Sequence, residues 1–176
     1  MNRRIAIRNL VLLSAGAALL DACGNKEALV QNNISLTASE QDLLSELTES
    51  IIPKTADFVG AKDLKTADFT LLMVDDCASP EEQTSFLEGM RKFDDACKAM
   101  TGSTFVSATP EQRNTFLAAL EVREGNTQPE NVVKFYRSVK WATIENFTSS
   151  EEYLMKVQNF SLIPPKFQAC VPVQTV

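Results

Sequence analysis

Five segments of this chain open with a Ser or Thr followed three residues later by Glu or Gln: Thr37/Glu40, Ser79/Glu82, Thr109/Gln112, Thr127/Glu130 and Ser149/Glu152. In that spacing the hydroxyl accepts a hydrogen bond from a free amide of the first helical turn. The acidic or amide side chain accepts in return from the amide of the cap residue, so each pair marks the start of a helix. Pro80 and Pro110 then fall at the first helical position and Pro129 at the second, where a missing N–H costs little. The pattern predicts helices over residues 38–52, 67–77, 80–100, 110–124, 128–147 and 150–158.

Apolar spacing supports the same reading. Leu43, Leu44, Leu47 and Ile51 recur at helical intervals in the first segment. Phe86, Met90, Phe93, Cys97 and Met100 do so in the third, and Val132, Tyr136, Val139, Thr143 and Phe147 in the fifth. Stripes of this kind are stable only when buried against one another. The expected fold is therefore all-α, a compact bundle of five to six helices. Residues 160–176 hold Pro164, Pro165 and Pro172 and are expected to run extended as a C-terminal tail.

The first 22 residues follow a different logic. Arg3 and Arg4, an apolar run from Leu10 to Leu20 and the box Leu20-Asp21-Ala22-Cys23 have the three parts of a bacterial export signal. The apolar run is about half the roughly 20 residues that a membrane-spanning helix requires. Asn2 to Arg8 resembles a twin-arginine signal, which sends folded proteins across a membrane. The box resembles a lipoprotein cleavage site, at which Cys23 would become the acylated N-terminus, each buried methylene adding about 0.8 kcal/mol of membrane affinity. The organisation expected is an export signal over 1–22, a lipid-anchor cysteine and linker over 23–33, and one helical domain with its tail over 34–176. The expected location is the cell envelope, on the periplasmic side, lipid-anchored to a membrane.

Composition narrows the chemistry. Of 17 basic and 23 acidic side chains, the first 22 residues carry Arg3, Arg4, Arg8 and Asp21, which leaves 14 against 22, a balance of −8. Such a surface repels phosphate backbones, so no nucleic-acid partner is expected. The chain has no histidine, which removes Ser-His-Asp and Cys-His catalysis, the Glu-x-x-His di-iron site, the usual zinc-protease site and the usual haem ligand. With six glycines, no phosphate-cradling glycine motif can be assembled. Catalytic, cofactor-binding and metal-binding residues are accordingly expected to be absent.

Three further groups bear on function. Asp75-Asp76 and Asp94-Asp95 read as solvated acidic faces, because helical rise separates them if their two helices form a hairpin. Cys77, Cys97 and Cys170 remain after Cys23; the same hairpin would hold Cys77 and Cys97 beyond disulfide reach, Cys170 on the tail could reach either, and Cys97 otherwise reads as a buried thiol in the Phe86 stripe. Trp141 falls off the core stripe of its helix and is the expected interface anchor, with Phe135, Tyr136 and Phe147 nearby. Asn146-Phe147-Thr148 fits a glycosylation sequon of little weight in a bacterial-type lipoprotein.

Several ordered blocks join into a resemblance. They are Ile51-Ile52-Pro53-Lys54-Thr55, Gly60-Ala61-Lys62-Asp63, Asp68-Phe69 with Met73-Val74-Asp75-Asp76-Cys77, Phe135-Tyr136-Arg137 with Phe147-Thr148-Ser149-Ser150-Glu151, and Pro164-Pro165-Lys166-Phe167-Gln168-Ala169-Cys170-Val171-Pro172-Val173. In this order they resemble the gluconate 2-dehydrogenase subunit 3 family, whose tail often has a Pro-Gly step where Pro164-Pro165 stands here. The resemblance implies a non-catalytic accessory subunit of an exported gluconate or sugar dehydrogenase. Its partner would be a large subunit of the glucose-methanol-choline (GMC) type carrying FAD, with electrons passing to a cytochrome c subunit. It implies no catalytic residues in this chain. Trp141, Pro164, Pro165 and Phe167 are the expected contacts with that partner. The alternative is a lipid-anchored envelope binding protein unrelated to a dehydrogenase.

Overall fold

The computed structural model describes residues 33–122 and 126–161, together with 163 and 170. Its helices are α1 (Ala38–Ile51), α2 (Thr66–Cys77), α3 (Pro80–Thr101), α4 (Pro110–Glu121), α5 (Glu130–Thr148) and the short α6 (Glu151–Lys156). The bundle is built around α5, which packs against every other helix, most extensively α3 and then α2. This central position follows from sequence: Val132, Val133, Phe135, Tyr136, Val139, Ala142 and Thr143 give α5 a buried face wide enough for several neighbours.

The capping boxes at Thr37, Ser79 and Thr109 form as expected, with both the side chain to amide and the reciprocal bond present. The other two do not. A residue before proline is pushed out of the helical region, so Gln128 cannot open α5; the helix starts at Glu130 with Pro129 as its cap residue. Asn126 organises this turn by accepting from the Gln128 amide at 2.8 Å. Ser149 ends α5 instead of starting α6, its hydroxyl donating to the Glu145 carbonyl at 2.6 Å. Ser150 takes over as the cap, accepting from the Tyr153 amide.

Two helix–helix contacts set the shape of the core. Phe93 of α3 is fully buried and meets Phe105, Phe116 and Phe135 edge to face at 5.2, 5.1 and 5.4 Å. One ring thus joins α3, the 102–109 loop, α4 and α5, with each aromatic pair adding about 0.5–1.5 kcal/mol beyond burial. Farther along α3, Gly89 lets the α5 backbone approach: a Cβ there would lie 2.4 Å from the Asn131 carbonyl oxygen and 2.6 Å from Phe135 Cβ. Met100, expected in the α3 stripe, is exposed because the helix has passed the end of its neighbours and is about to stop at Gly102, which takes φ of 82°.

The acidic pairs are only partly solvated. Asp76 and Asp95 are exposed, but Asp75 is 3% exposed, and its Oδ1 accepts from the amides of Asn33 and Ile34, both at 2.9 Å. This carboxylate fastens the entering chain, so that Ile34 and Leu36 reach the core. Asp94 accepts from the Phe105 amide at 2.9 Å, which orients the loop after α3. The α2 and α3 helices pack mainly on α5 rather than as a hairpin on each other. Gln83 closes the turn between them by donating to the carbonyls of Val74, Asp75 and Ala78.

Candidate functional site

The chain's charged groups are unevenly tied down. On the side formed by α1, the 52–65 loop and α4, several charged side chains are held by two or more partners. Glu49 takes the amides of Lys54 and Lys62 on its two oxygens, each at 2.9 Å. Gly60 sits against that carboxylate, and a Cβ there would fall 2.6 and 2.7 Å from its oxygens. Asp63 holds Lys54 at 3.0 Å. Glu46 bridges Lys62 at 2.5 Å and Arg113 at 2.9 Å, while Arg113 also donates to the carbonyls of Phe105 and Val106. Burial raises the Glu46 pKa, but the hydrogen bonds and charges of Lys62 and Arg113 outweigh it and hold the carboxyl below the ordinary glutamate range.

The same loop is pinned at its far end by rings. Phe58 meets Phe147 at 6.0 Å, Phe147 meets Tyr153 at 5.3 Å, and Lys156 lies over Phe58 while donating to the Asp57 carbonyl. The half-buried Asn146 is engaged too, its Nδ2 donating to Thr66 Oγ1 at 2.8 Å. The sequence blocks at 51–55 and 60–63 lie largely in this loop, and Phe147 of a further block packs against it.

The opposite face differs. Between the C-terminal half of α2, the start of α3 and the middle of α5 lies an open groove of about 690 Å3. Its floor is apolar, with Val74, Phe86, Phe135 and Ala142, and its rim carries Cys77, Lys134, Arg137, Ser138 and Trp141. Phe86 and Phe135 meet edge to face at 4.9 Å and fix the floor. Trp141 is 59% exposed, so this helix presents a large ring to solvent at the groove's edge. Lys134, Arg137, Trp141 and Ile144 recur at three and four residues, a second stripe on α5 turned away from the core stripe.

Of the residues singled out from sequence, Trp141 alone among the expected partner contacts falls in the described structure, and it stands on this rim. Arg3, Arg4, Cys23, Pro164, Pro165 and Phe167 lie outside the described residues. Lys134, Arg137 and Ser138 are not among the site residues expected from sequence; the second helical stripe on α5 is the signal for Lys134 and Arg137. Cys77 and Cys170 are exposed and free, and Cys97 is buried and free. Burial pushes the Cys97 thiol pKa up, against the opposing effect of a hydrogen bond with Thr101 Oγ1 at 3.6 Å. Among the described residues no cluster of three or more metal-ligating side chains is present, and no helix is long and apolar enough to cross a membrane.

The family model described as "Gluconate 2-dehydrogenase subunit 3" matches residues 38–164. The match begins at the first residue of α1 and takes in all six helices. No curated protein and no solved structure matches the chain.

Proposed function

Since the chain belongs to the gluconate 2-dehydrogenase subunit 3 family, we propose that it is the non-catalytic accessory subunit of an exported, FAD-dependent gluconate or sugar dehydrogenase. In this reading the FAD sits in a large subunit of the glucose-methanol-choline (GMC) type, and a cytochrome c subunit takes its electrons. The small chain aids folding, export or membrane association of the flavoprotein. The observation that carries the reading is the length of the family match, which spans the whole bundle rather than one motif. The sequence agrees with it: a chain without histidine or glycine-rich loops is suited to binding a protein rather than to acid–base or nucleotide chemistry.

Export follows the same logic. A flavin is inserted in the cytoplasm, so its protein has to cross the membrane folded. The twin-arginine resemblance at Arg3-Arg4 would let this chain carry the loaded partner across, and acylation at Cys23 would then hold the pair at the envelope.

Deleting the gene should lower the amount of flavoprotein in the envelope, its flavin content and its dehydrogenase activity, and reintroducing the gene should restore all three. Unchanged export, flavin and activity would favour the lipid-anchored binding protein instead. Replacing Arg3 and Arg4 with lysine should strand both subunits in the cytoplasm, and Cys23→Ala should remove the acyl mass from this chain. Normal export of the lysine variant would remove twin-arginine transport from the reading, and a parent chain without acyl mass would remove the anchor.

A further inference from the structure

We propose that the groove between α2, α3 and α5 is where the partner subunit docks, and that it takes an acidic–apolar segment: an aliphatic or aromatic side chain for the floor, flanked by carboxylates for Arg137 and Lys134. This deepens the accessory-subunit reading and rests on it.

The chain carries a formal net charge of −6, yet the rim of this groove sets Lys134 and Arg137 against Glu82 alone. Glu82 is engaged with the cap of α3, its carboxylate accepting from the Ser79 amide at 2.9 Å. Among the described residues no carboxylate lies within ion-pair distance of Arg137; Glu121, which feels its charge at longer range, is itself paired with Lys140. Lys134 pairs with Glu130 at 2.7 Å on the same helix, with both side chains well exposed, and pairs of that kind contribute little and exchange readily. Two cations thus flank an apolar floor on a chain of net negative charge.

Trp141 belongs to the residue type most enriched among interface anchors, and it stands at the edge of a concave apolar site rather than on a flat charged surface. The floor beneath is rigid, because Phe86 and Phe135 are locked edge to face where Gly89 brings α3 onto α5. A preformed floor lowers the ordering cost of binding.

Other occupants fit less well. The chain's own tail, residues 160–176, supplies a cation at Lys166 and no Asp or Glu side chain. Its linker has one acid, Glu27, directly beside Lys26. In a two-fold contact through this groove, Lys134 and Arg137 of one copy would face those of the other.

The experiment places a photoactivatable amino acid at Ser138 of the full chain, expressed with the dehydrogenase's FAD-carrying subunit in the native envelope, and at Lys92 as a control on another face. The expected product is a crosslink from position 138, not from 92, to a flavoprotein peptide with Asp or Glu beside an apolar residue. Arg137→Glu should then lower recovery of the flavoprotein at least tenfold, and exchanging the crosslinked acid for lysine should restore it. Crosslinks from 138 to residues 160–176, to residues 24–32 or to a second copy would overturn the groove assignment. So would normal recovery with Arg137→Glu, or a flavoprotein that crosslinks only through 92; in these cases the accessory-subunit reading would survive. Failure of the unmodified chain to recover any flavoprotein would overturn that reading and this inference together.

Discussion

The two sides of the bundle use the same residue types to opposite ends. On the α1, loop and α4 side, Arg113 reaches one carboxylate and two backbone carbonyls and lies over the Phe105 ring at 5.3 Å. On the α5 rim, Arg137 has only the longer-range charge of Glu121, and Trp141 has solvent where Phe105 has packing. A cation surrounded by acceptors is part of the scaffold. One beside an exposed ring and an apolar hollow is free to engage something else. The contrast separates residues that hold the fold from residues that the fold holds out.

The most damaging change should disregard the contrast. Phe93→Ala removes the ring shared by α3, α4, α5 and the 102–109 loop and should cost about 3–5 kcal/mol. In urea melts both sides should unfold in one transition, seen equally by far-ultraviolet circular dichroism and by Trp141 fluorescence. Two separate transitions would mean that the sides are independent units.

Arg113→Ala and Arg137→Ala set the two sides directly against each other. The first strips two carbonyls and Glu46 of their donor and should cost about 2–3 kcal/mol. The second should stay within about 0.5 kcal/mol. Equal losses in chemical denaturation would remove the distinction. Gly89→Ala comes next, at about 1–3 kcal/mol for forcing α3 from α5. Because it moves the Phe86 and Phe135 floor, it should also weaken partner recovery more than its stability loss explains.

Acid should loosen the stapled side first. Glu46 and Glu40 are both held below the ordinary glutamate range: burial raises each, but Lys62 and Arg113 outweigh it at Glu46, and Thr37 with Arg91 at Glu40. A depressed carboxylate pKa gives stability that is complete above the unfolded value of about 4.3 and is lost as the pH falls through the folded value. Stability should therefore fall below about pH 4, by less than about 1 kcal/mol per pair after solvent screening. Glu46→Gln should flatten part of that slope. The smallest stability effect belongs to Trp141→Ala, within about 0.5 kcal/mol. A loss above 2 kcal/mol would make Trp141 a scaffold residue and erase the comparison.

Local signals were the legible ones. The boxes at Thr37, Ser79 and Thr109 and the stripes on α1, α3 and α5 depend on neighbours three or four residues away, and they located the helices within a few positions. The boxes at Thr127 and Ser149 misled because a stronger local rule prevailed: the restriction before Pro129 in one case, the end of α5 in the other. The start of α2 carried no capping signal, since Lys65 enters it with φ of 52°. The burial of Asp75 is not legible in sequence, because the amides whose hydrogen bonds it accepts belong to residues 41 and 42 positions away, beyond the reach of any periodicity. Trp141 was legible as an outlier from its stripe. Arg137 and Lys134 were overlooked because a charged residue on an outer face looks the same in sequence whether a carboxylate faces it or not.

The bond from Asp75 to the entering chain also fixes a length. If Cys23 carries the acyl anchor, ten residues separate the membrane surface from the point where Asn33 is fastened, and even fully extended they span no more than about 35 Å. Asp75 lies on the same stretch of α2 as Val74 and Cys77 of the groove. The docking face would then work inside a thin layer above the bilayer, where one tethered molecule meets another at a local concentration set by the leash rather than by the volume of the compartment.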